Sequence, residues 1–253
     1  MKPSRMFSFV KQTWNPVVGC SHHCIYCWAR RQAKRQRNRC IKCYWFSPHI
    51  HKERLEPYFK PDSFKPNTLV FVGDMADLFC DGMDYDWIDD VLFAIEKNPK
   101  TIFFLETKNP ERAIFSFDLP KENIIFSTTI ETNKEGGELP IIEDWEYMDL
   151  SMAPNPEERL DILYNEVEDN LKGYRLHISI EPILDFDLLE FANTIKKIKP
   201  IRVSIGYDNY NHRLPEPSLQ KTMRLIEILE MAGIEVERKT IRKAWWENES
   251  KQQ

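Results

Sequence analysis

The chain has 253 residues, of which 42% are hydrophobic and 30% charged, and its formal net charge is −5 at pH 7. This length suits one α/β domain with a full core, and the hydrophobic content excludes wholesale disorder. Apolar runs such as 69–72 are too short to cross a bilayer, and the N-terminus leads into no long apolar signal segment. We therefore expect no membrane association and a cytoplasmic location, where a reducing environment suits thiolate ligands better than disulfides.

A first predicted strand ends in Val17-Val18 and leads into a motif with C-x3-C-x2-C spacing, formed by Cys20, Cys24 and Cys27. Three thiolates this close together are typical ligands of one 4Fe-4S cluster with an open fourth iron. The alternative is a zinc or structural thiol site, although structural zinc usually takes four ligands in two separated pairs. His22 and His23, inside the motif, are expected to face solvent or to support the ligands without binding iron.

Basic residues are concentrated after the motif, since residues 1–60 hold 13 Lys and Arg but 2 Asp and Glu. The densest segment is 30–42, in and after a predicted first helix at 28–33. Its basic residues are Arg30, Arg31, Lys34, Arg35, Arg37, Arg39 and Lys42, and no acidic residue lies among them. Such a segment indicates a polyanionic partner, DNA or RNA. The alternative is a solvated helix face followed by a loop.

Residues 37–68 form the least regular part of the chain and are predicted to be an insertion. It contains Cys40 and Cys43 in C-x2-C spacing, with His49 and His51 downstream. Two cysteines and two histidines suit tetrahedral zinc, but the spacing is much tighter than in a zinc finger. A second metal site, a second iron–sulfur cluster and free thiols all stay open. Cys80 is interpreted as a small buried hydrophobic residue.

Strand-like and helix-like segments then alternate. The predicted strands are 69–73, 101–106, 124–129, 176–181, 201–205 and 234–238, and the predicted helices are 87–96, 156–171, 188–198 and 219–231. The strands are short and almost continuously apolar, as in parallel sheets buried on both faces. Alternation without a long break predicts an α/β fold, a partial (β/α)6 TIM-like barrel, formed by one domain over residues 1–253.

Several motifs in order along the chain resemble one family. They are 13–20 (TWNPVVGC), 53–57 (ERLEP), 71–79 (FVGDMADLF), 105–112 (LETKNPER), 128–133 (TTIETN) and 179–184 (SIEPIL). Together they are similar to the phage Gp37/Gp68-like proteins, a domain of unknown function regarded as radical S-adenosylmethionine (SAM)-like and distantly similar to spore photoproduct lyase. The cysteine motif, with Tyr26 before its third cysteine, also resembles the radical SAM signature. The resemblance implies a radical SAM barrel that binds a 4Fe-4S cluster and SAM.

The resemblance also implies cofactor-binding residues at strand ends. Gly73 and Asp74 end the second strand, where the backbone and the carboxylate would meet the SAM amino group. Ser127, Thr128 and Glu131 follow the fourth strand, where these enzymes usually hold ribose hydroxyls. The alternatives are a turn or helix cap at Asp74 and ordinary polar residues at the end of the fourth strand.

Three further residues are candidate catalytic groups. Lys108 ends the third strand and could pair with the SAM carboxylate or a substrate phosphate, or be a surface lysine. Glu181 closes a very apolar strand, so it is either catalytic or a buried partner of a cation. Asp208 stands in Gly206-Tyr207-Asp208-Asn209, where the family tends to have Gly-Gly-Glu-Ser, so it keeps a carboxylate one methylene shorter.

Three functions stay open. The first is a radical SAM enzyme that abstracts hydrogen from a nucleic acid base or nucleotide, with an electron donor such as flavodoxin or ferredoxin as partner. The second is the same enzyme class acting on a peptide or small metabolite. The third is a non-enzymatic protein in which the cysteines bind zinc and the basic segment binds nucleic acid.

Overall fold

The computed structural model describes residues 7–118, 120–139 and 142–249. The strands in these ranges are β1 (Gln12–Trp14), β2 (Val17–Val18), β3 (His49–Ile50), β4 (Leu69–Val72), β5 (Ile102–Thr107), β6 (Ile124–Thr129), β7 (Gly136–Leu139), β8 (Ile142–Glu146), β9 (Arg175–Ile180), β10 (Arg202–Ile205) and β11 (Glu235–Arg238).

The α-helices are α1 (Trp28–Ala33), α2 (Ile41–Trp45), α3 (Lys52–Leu55), α4 (Tyr85–Glu96), α5 (Pro110–Ser116), α6 (Tyr147–Leu150), α7 (Pro156–Glu166), α8 (Leu188–Ile198), α9 (Leu219–Met231) and α10 (Trp245–Glu249). Short 3-10 helices cover Lys34–Gln36, Glu56–Phe59 and Lys121–Asn123. None of the helices in the described ranges has both the length and the apolar composition needed to cross a membrane.

Seven strands form a parallel sheet in the order β1-β4-β5-β6-β9-β10-β11. The residues of β6 are all buried, which explains why the sheet strands are apolar at consecutive positions. This sheet confirms the predicted α/β class. β1 and β11 end the order, so the described strands do not close a barrel.

The chain divides into two compact units. Among the described residues, the first unit comprises 7–23, 27–118, 120–127 and 173–175, and the second comprises 24–26, 128–139, 142–172 and 176–249. The assignment of the whole chain to one domain stays a prediction.

In the first unit, helix α4 packs an apolar face formed by Ile88, Val91, Leu92 and Ile95. It begins at Tyr85, two residues before the predicted start, because the Asp84 side chain accepts a hydrogen bond from the Asp86 amide and caps it. The insertion predicted at 37–68 contains α2, β3 and α3. Strand β3 pairs antiparallel with β2, with Val17 opposite Ile50 and Val18 opposite His49.

In the second unit, β9, β10 and β11 pair in parallel, and α8 and α9 have the bounds predicted for them. Helix α7 begins with a capping box between Asn155 and Glu158 and ends at Glu166, earlier than the predicted residue 171. The antiparallel pair β7–β8 was not predicted.

Candidate functional site

The cysteine motif forms the loop between β2 and α1, which we call the cysteine loop (residues 19–27). Gly19 starts it with φ +99, and a Cβ there would clash with the backbone carbonyl of Ser47. The amide of Gly19 donates to the Met75 carbonyl at 3.0 Å, and the amide of Cys20 donates to the Phe46 carbonyl at 3.2 Å. The start of the loop therefore has a fixed backbone path that only glycine can follow.

Each thiol of the loop has its own contact. Cys20 shares a hydrogen bond with the buried Cys80; this bond and burial raise the pKa of Cys20. The Cys24 sulfur lies 3.0 Å from the Ser151 hydroxyl, within the second unit. The Cys27 sulfur accepts from the Arg30 amide at 3.3 Å and caps α1. None of the three is in a disulfide, so all three stay available as thiolate donors.

A buried histidine–aspartate pair supports the cysteine loop in the first unit. His22 Nε2 lies 2.9 Å from Asp77 Oδ2, and the two side chains are 4% and 9% exposed. Asp77 also accepts from the Thr107 hydroxyl at 2.7 Å and from the Lys108 amide at 2.8 Å. Burial alone would raise the pKa of Asp77, but His22 and these donors hold it below its usual value. His22 is thus buried, whereas His23 is exposed and lies 2.9 Å from an Arg30 guanidinium nitrogen.

The predicted residues Gly73 and Asp74 form a turn directly after β4. Gly73 has φ +74 and its amide donates to the Trp14 carbonyl at 2.8 Å. Asp74 accepts from the Asn15 side-chain amide, whose oxygen accepts from the Met75 amide at 3.1 Å. Burial raises the pKa of Asp74, and the Asn15 hydrogen bond opposes this effect. Asn15 of the 13–20 motif therefore positions the carboxylate, which sequence reasoning did not assign to it.

A buried network in the second unit contains the predicted cofactor residues Tyr26 and Glu131. Tyr26 donates to Glu131 Oε1 at 2.6 Å, and Tyr147 donates to the same oxygen at 3.2 Å. Arg159 donates to Glu131 Oε2 at 2.9 Å, and both of these side chains are 0% exposed. Burial raises the pKa of Tyr26 far above its usual value, so the phenol stays protonated and donates. The role of Glu131 in ribose binding stays a prediction.

Ser127 and Thr128, at the end of β6, differ in their hydrogen bonding. The Ser127 hydroxyl donates to Glu106 Oε1 at 3.4 Å. The Thr128 hydroxyl is buried, and no hydrogen-bond partner for it lies within the described part of the chain. A hydroxyl in this condition suits a polar ligand atom.

The predicted catalytic residues lie after different strands. Lys108 follows β5 in the first unit, and Glu181 and Asp208 follow β9 and β10 in the second. Burial raises the pKa of Glu181, whose Oε1 accepts from the Asn209 amide at 3.2 Å. Asp208 accepts from the amides of Tyr210 and His212 at 3.1 and 2.7 Å, so it organises its own loop. Their catalytic roles stay predictions.

The second cysteine pair lies with two histidines in the first unit. Cys40, Cys43, His49 and His51 bring their ligand atoms within 4.8 Å of one another and could hold a metal ion. The predicted basic segment follows the cysteine loop, and its residues Arg31, Lys34, Arg35, Arg37, Arg39 and Lys42 are exposed. Lys34 Nζ lies 4.8 Å from the ring centroid of Tyr44 and 5.3 Å from that of Trp45, which is 64% exposed.

A protein-family model described as "Protein of unknown function (DUF5131)" matches residues 5–146. The chain belongs to this family. Among curated proteins, no sequence matches the chain. The family assignment covers the cysteine loop, β4 to β6 and the second cysteine pair with its two histidines.

The fold of this DUF5131 chain is similar to that of spore photoproduct lyase. A tyrosine-to-phenylalanine variant of that enzyme matches with a TM-score of 0.56 and 11% identity, over 94% of this chain and 79% of the enzyme. A cysteine-to-alanine variant with a dinucleoside spore photoproduct matches with a TM-score of 0.50 and 12% identity, over 90% of this chain. The chain covers 64% of that variant, and 65% of a third structure that has bound AdoMet (SAM) as well.

The donor set of the cysteine loop fits the cluster that the resemblance implies. Three thiols outside disulfides are the soft donors that iron–sulfur clusters take. The buried Thr128 hydroxyl offers a further polar group for a bound cofactor.

Sequence reasoning missed Asp77, Cys80 and Arg159 as parts of this site. Its position within the 71–79 motif is the signal that could have identified Asp77. Arg159 occupies the buried face of α7 with Leu160 and Leu163, and a charge on such a face is a signal for a buried partner.

Proposed function

We propose that this DUF5131 protein is a radical SAM enzyme whose substrate is a nucleic acid base or nucleotide. The observation that carries the proposal is the C-x3-C-x2-C loop after β2, on a fold similar to that of spore photoproduct lyase. The motif resemblance to the Gp37/Gp68-like proteins, a partial barrel of the radical SAM type and a cytoplasmic location belong to the same proposal.

Cys20, Cys24 and Cys27 would each bind one iron of a 4Fe-4S cluster and leave the fourth open for SAM. When bound, the cluster and SAM would supply a carbon-centred radical that abstracts hydrogen from the substrate, with flavodoxin or ferredoxin as electron donor. The His22–Asp77 pair would hold the first turn of the loop in place, since both side chains are buried and Asp77 is fixed by donors from β5 and the residue after it.

The residues at strand ends would bind and orient SAM. Asp74, held by Asn15, would accept from the SAM amino group next to the Gly73 backbone. Ser127 and Thr128 would meet ribose hydroxyls, and Thr128 is favoured because its hydroxyl has no hydrogen-bond partner among the described residues. Glu131 would act through Tyr26, because both of its oxygens are engaged by buried donors.

Three residues are proposed to act on the substrate, by donating a proton, by pairing with a charge and by shaping a loop. Burial raises the pKa of Glu181, so it would stay protonated at higher pH than an ordinary glutamate and could donate a proton. Lys108 would pair with a carboxylate or phosphate, and Asp208 would shape the loop that contacts the substrate.

Nucleic acid is favoured as substrate by the exposed basic residues of 30–42 and the exposed Trp45 beside Lys34. Basic side chains contact phosphates, and an exposed indole provides a face on which a base can stack. Two of the similar enzyme structures contain a dinucleoside spore photoproduct. A peptide or small metabolite is the alternative substrate.

Anaerobic reconstitution with iron and sulfide, followed by dithionite and SAM, tests the enzyme class. We expect a brown protein that forms 5′-deoxyadenosine. Cys24→Ala should lower the iron content and abolish 5′-deoxyadenosine, because two irons would then lack a protein ligand.

Ile25→Ala is the matched control, since it truncates an exposed side chain inside the same loop without removing a thiol and should leave cluster and SAM cleavage in place. A colourless wild-type protein that binds zinc in the loop would instead support the non-enzymatic nucleic-acid-binding alternative. Iron binding and SAM cleavage that survive Cys24→Ala would refute the assignment of the loop.

A further inference from the structure

A set of four metal-ligating side chains lies outside the cysteine loop. It consists of Cys40, Cys43, His49 and His51, which we call the Cys/His group. Cys40 caps α2, Cys43 lies on its buried side, His49 belongs to β3 and His51 follows directly. All four ligand atoms lie within 4.8 Å of one another.

Four of the six distances within the group are close to the edges of one tetrahedron. His49 Nε2 lies 3.5 Å from the Cys40 sulfur and 3.3 Å from the Cys43 sulfur. His51 Nε2 lies 3.1 Å from the Cys43 sulfur and 3.0 Å from His49 Nε2. Zinc–sulfur bonds of about 2.3 Å and zinc–nitrogen bonds of about 2.0–2.1 Å place such edges at about 3.6 Å and 3.3 Å.

The second nitrogen of each imidazole fixes which atom faces the group. His49 Nδ1 lies 2.7 Å from the Ser47 carbonyl oxygen, which can only accept, so Nδ1 carries the proton. His51 Nδ1 lies 2.9 Å from a Glu53 carboxylate oxygen and donates in the same way. In the neutral rings both Nε2 atoms therefore present lone pairs toward one point, together with two sulfurs.

We propose that the Cys/His group binds a single structural Zn²⁺. Two lone pairs 3.0 Å apart repel unless a proton or a metal ion lies between them, and the two cysteine sulfurs near the same point make a donor set that suits tetrahedral zinc. Four protein ligands leave no open position, as in structural sites. A two-iron cluster with cysteines on one iron and histidines on the other does not fit, because here sulfur and nitrogen are direct neighbours.

The backbone and carboxylate partners of the two imidazoles complete the site. Metal-binding histidines usually donate their other N–H to a carbonyl or a carboxylate, which orients the ring and raises its basicity. Here the Ser47 carbonyl accepts from His49, and the Glu53 carboxylate accepts from His51. The site is therefore built beyond its four ligands.

The zinc would stabilise the segment on which the cysteine loop begins. β3, which carries His49, pairs with β2, and β2 leads into Gly19. Between Cys43 and His49, the Phe46 carbonyl accepts from the Cys20 amide, and the Ser47 carbonyl limits the space at Gly19. This inference does not rest on the proposed radical chemistry, because the group has its own ligands.

Metal analysis of the full-length protein tests the site. We expect one zinc per chain in addition to any iron, and Co²⁺ exchanged into the site should show the intense d–d bands of tetrahedral coordination. Cys43→Ser and His51→Gln should each lose this zinc. Cys24→Ala should keep it while losing iron, which separates this inference from the function proposed for the cysteine loop.

Variants that lose a ligand could fail to fold, so a second test leaves all four ligands intact. Glu53→Gln should weaken zinc affinity about 10- to 100-fold in competition with a chelator, because His51 loses its charged partner. Glu56→Gln changes another exposed carboxylate three residues away and should leave the affinity unchanged. Wild-type protein without zinc, cobalt without tetrahedral bands, iron in place of zinc, or equal affinities for the two glutamine variants would each overturn the proposal.

Discussion

Arg159 and Glu131 form an ion pair in which both side chains are 0% exposed. Taking two charges out of water costs several kcal/mol per ion, so such a pair persists only when its remaining atoms are also satisfied. Here Tyr26, Tyr147 and the Thr129 carbonyl complete the hydrogen bonding. Because Tyr26 belongs to the cysteine loop, we interpret the pair as a means of fixing the loop residue next to Cys27.

His177 is a second buried titratable residue, in the middle of β9. It is 2% exposed, and its Nε2 lies 2.9 Å from the Ser204 hydroxyl on β10. Burial, followed by the charges of Arg202 and Lys239, lowers its pKa from 6.5 to about 3. Between these two values the unfolded chain binds a proton that the folded chain does not. The folded state therefore loses stability as the pH falls from about 6.5 toward 3.

We predict that His177 lowers the free energy of unfolding by up to about 2 kcal/mol between pH 6.5 and pH 5. Urea unfolding at both pH values should show a smaller difference for His177→Gln than for the wild type. Ser204→Ala removes the hydrogen-bond partner but leaves the histidine buried, so it should keep the wild-type difference. Identical differences in wild type and His177→Gln would show that the residue does not titrate as described.

At the scale of elements, the junction of β2 with the cysteine loop depends on one glycine. Gly19 and Gly173 have similar positive φ angles, +99 and +88. A Cβ at Gly19 would clash with the Ser47 carbonyl, whereas at Gly173 no atom lies within 4 Å. Alanine at Gly173 would therefore add backbone strain alone, whereas alanine at Gly19 would add the same strain and a steric clash.

We predict that Gly19→Ala lowers the iron content of the reconstituted protein, because the clash moves the start of the loop that carries Cys20. Gly173→Ala should cost about 1–2 kcal/mol of stability from its left-handed backbone alone and keep the iron. Iron analysis together with urea unfolding measures both effects. Full iron loading of Gly19→Ala would contradict the geometry of this junction.

The elements whose bounds were predicted correctly each have one clear hydrophobic pattern. Six buried residues define β6 at its predicted bounds, and the amphipathic pattern of α8 gives both of its ends. Helix α5 was missed because its buried residues are Pro110 and Ala113, which is too little apolar surface for a helical pattern. The pair β7–β8 was missed because its first strand begins with two glycines, which favour turns.

The candidate site could be predicted only where its residues are adjacent in sequence. Spacing alone pointed to Cys20, Cys24 and Cys27. His22 and Asp77 are 55 positions apart, and Arg159 and Glu131 are 28 apart, so only the fold brings them together. For the Cys/His group the residues were noticed, but their tight spacing argued against zinc. Only the fold shows that His49 Nε2 lies 3.3 Å from the sulfur of Cys43 on α2.

At the scale of the whole molecule, positive charge is concentrated in the first 60 residues. These hold 13 Lys and Arg against 2 Asp and Glu, although the net charge of the chain is −5. In an acidic protein, one dense basic segment is the most favourable place for a polyanion to bind, because the net negative charge of the remainder opposes binding. The basic segment 30–42 follows the cysteine loop directly, so substrate binding and radical chemistry would involve neighbouring residues.

We predict that replacing Arg35, Arg37 and Arg39 by glutamine weakens DNA or RNA binding. The slope of log affinity against log salt should flatten by about one for each lost phosphate contact. A salt series with single- and double-stranded oligonucleotides measures this. SAM cleavage should survive, since the three arginines follow the cysteine loop.

Lys65, Lys172 and Lys197, all exposed and outside the segment, form the matched control when changed to glutamine together. Both triple variants remove the same charge. An equal loss of affinity in both would therefore show that the basic segment acts only through the net charge of the protein. No binding at low salt would favour a peptide or small-molecule substrate.

The pairing of β2 with β3 has a consequence for how chain length can vary in this family. The ladder is two residues long, with Val17 opposite Ile50 and Val18 opposite His49. Since side chains alternate between the faces of a strand, removing one residue between Cys43 and His49 would turn His49 to the opposite face. A one-residue insertion or deletion in 44–48 should therefore disrupt the proposed zinc site, whereas a change of two residues would keep His49 on the same face.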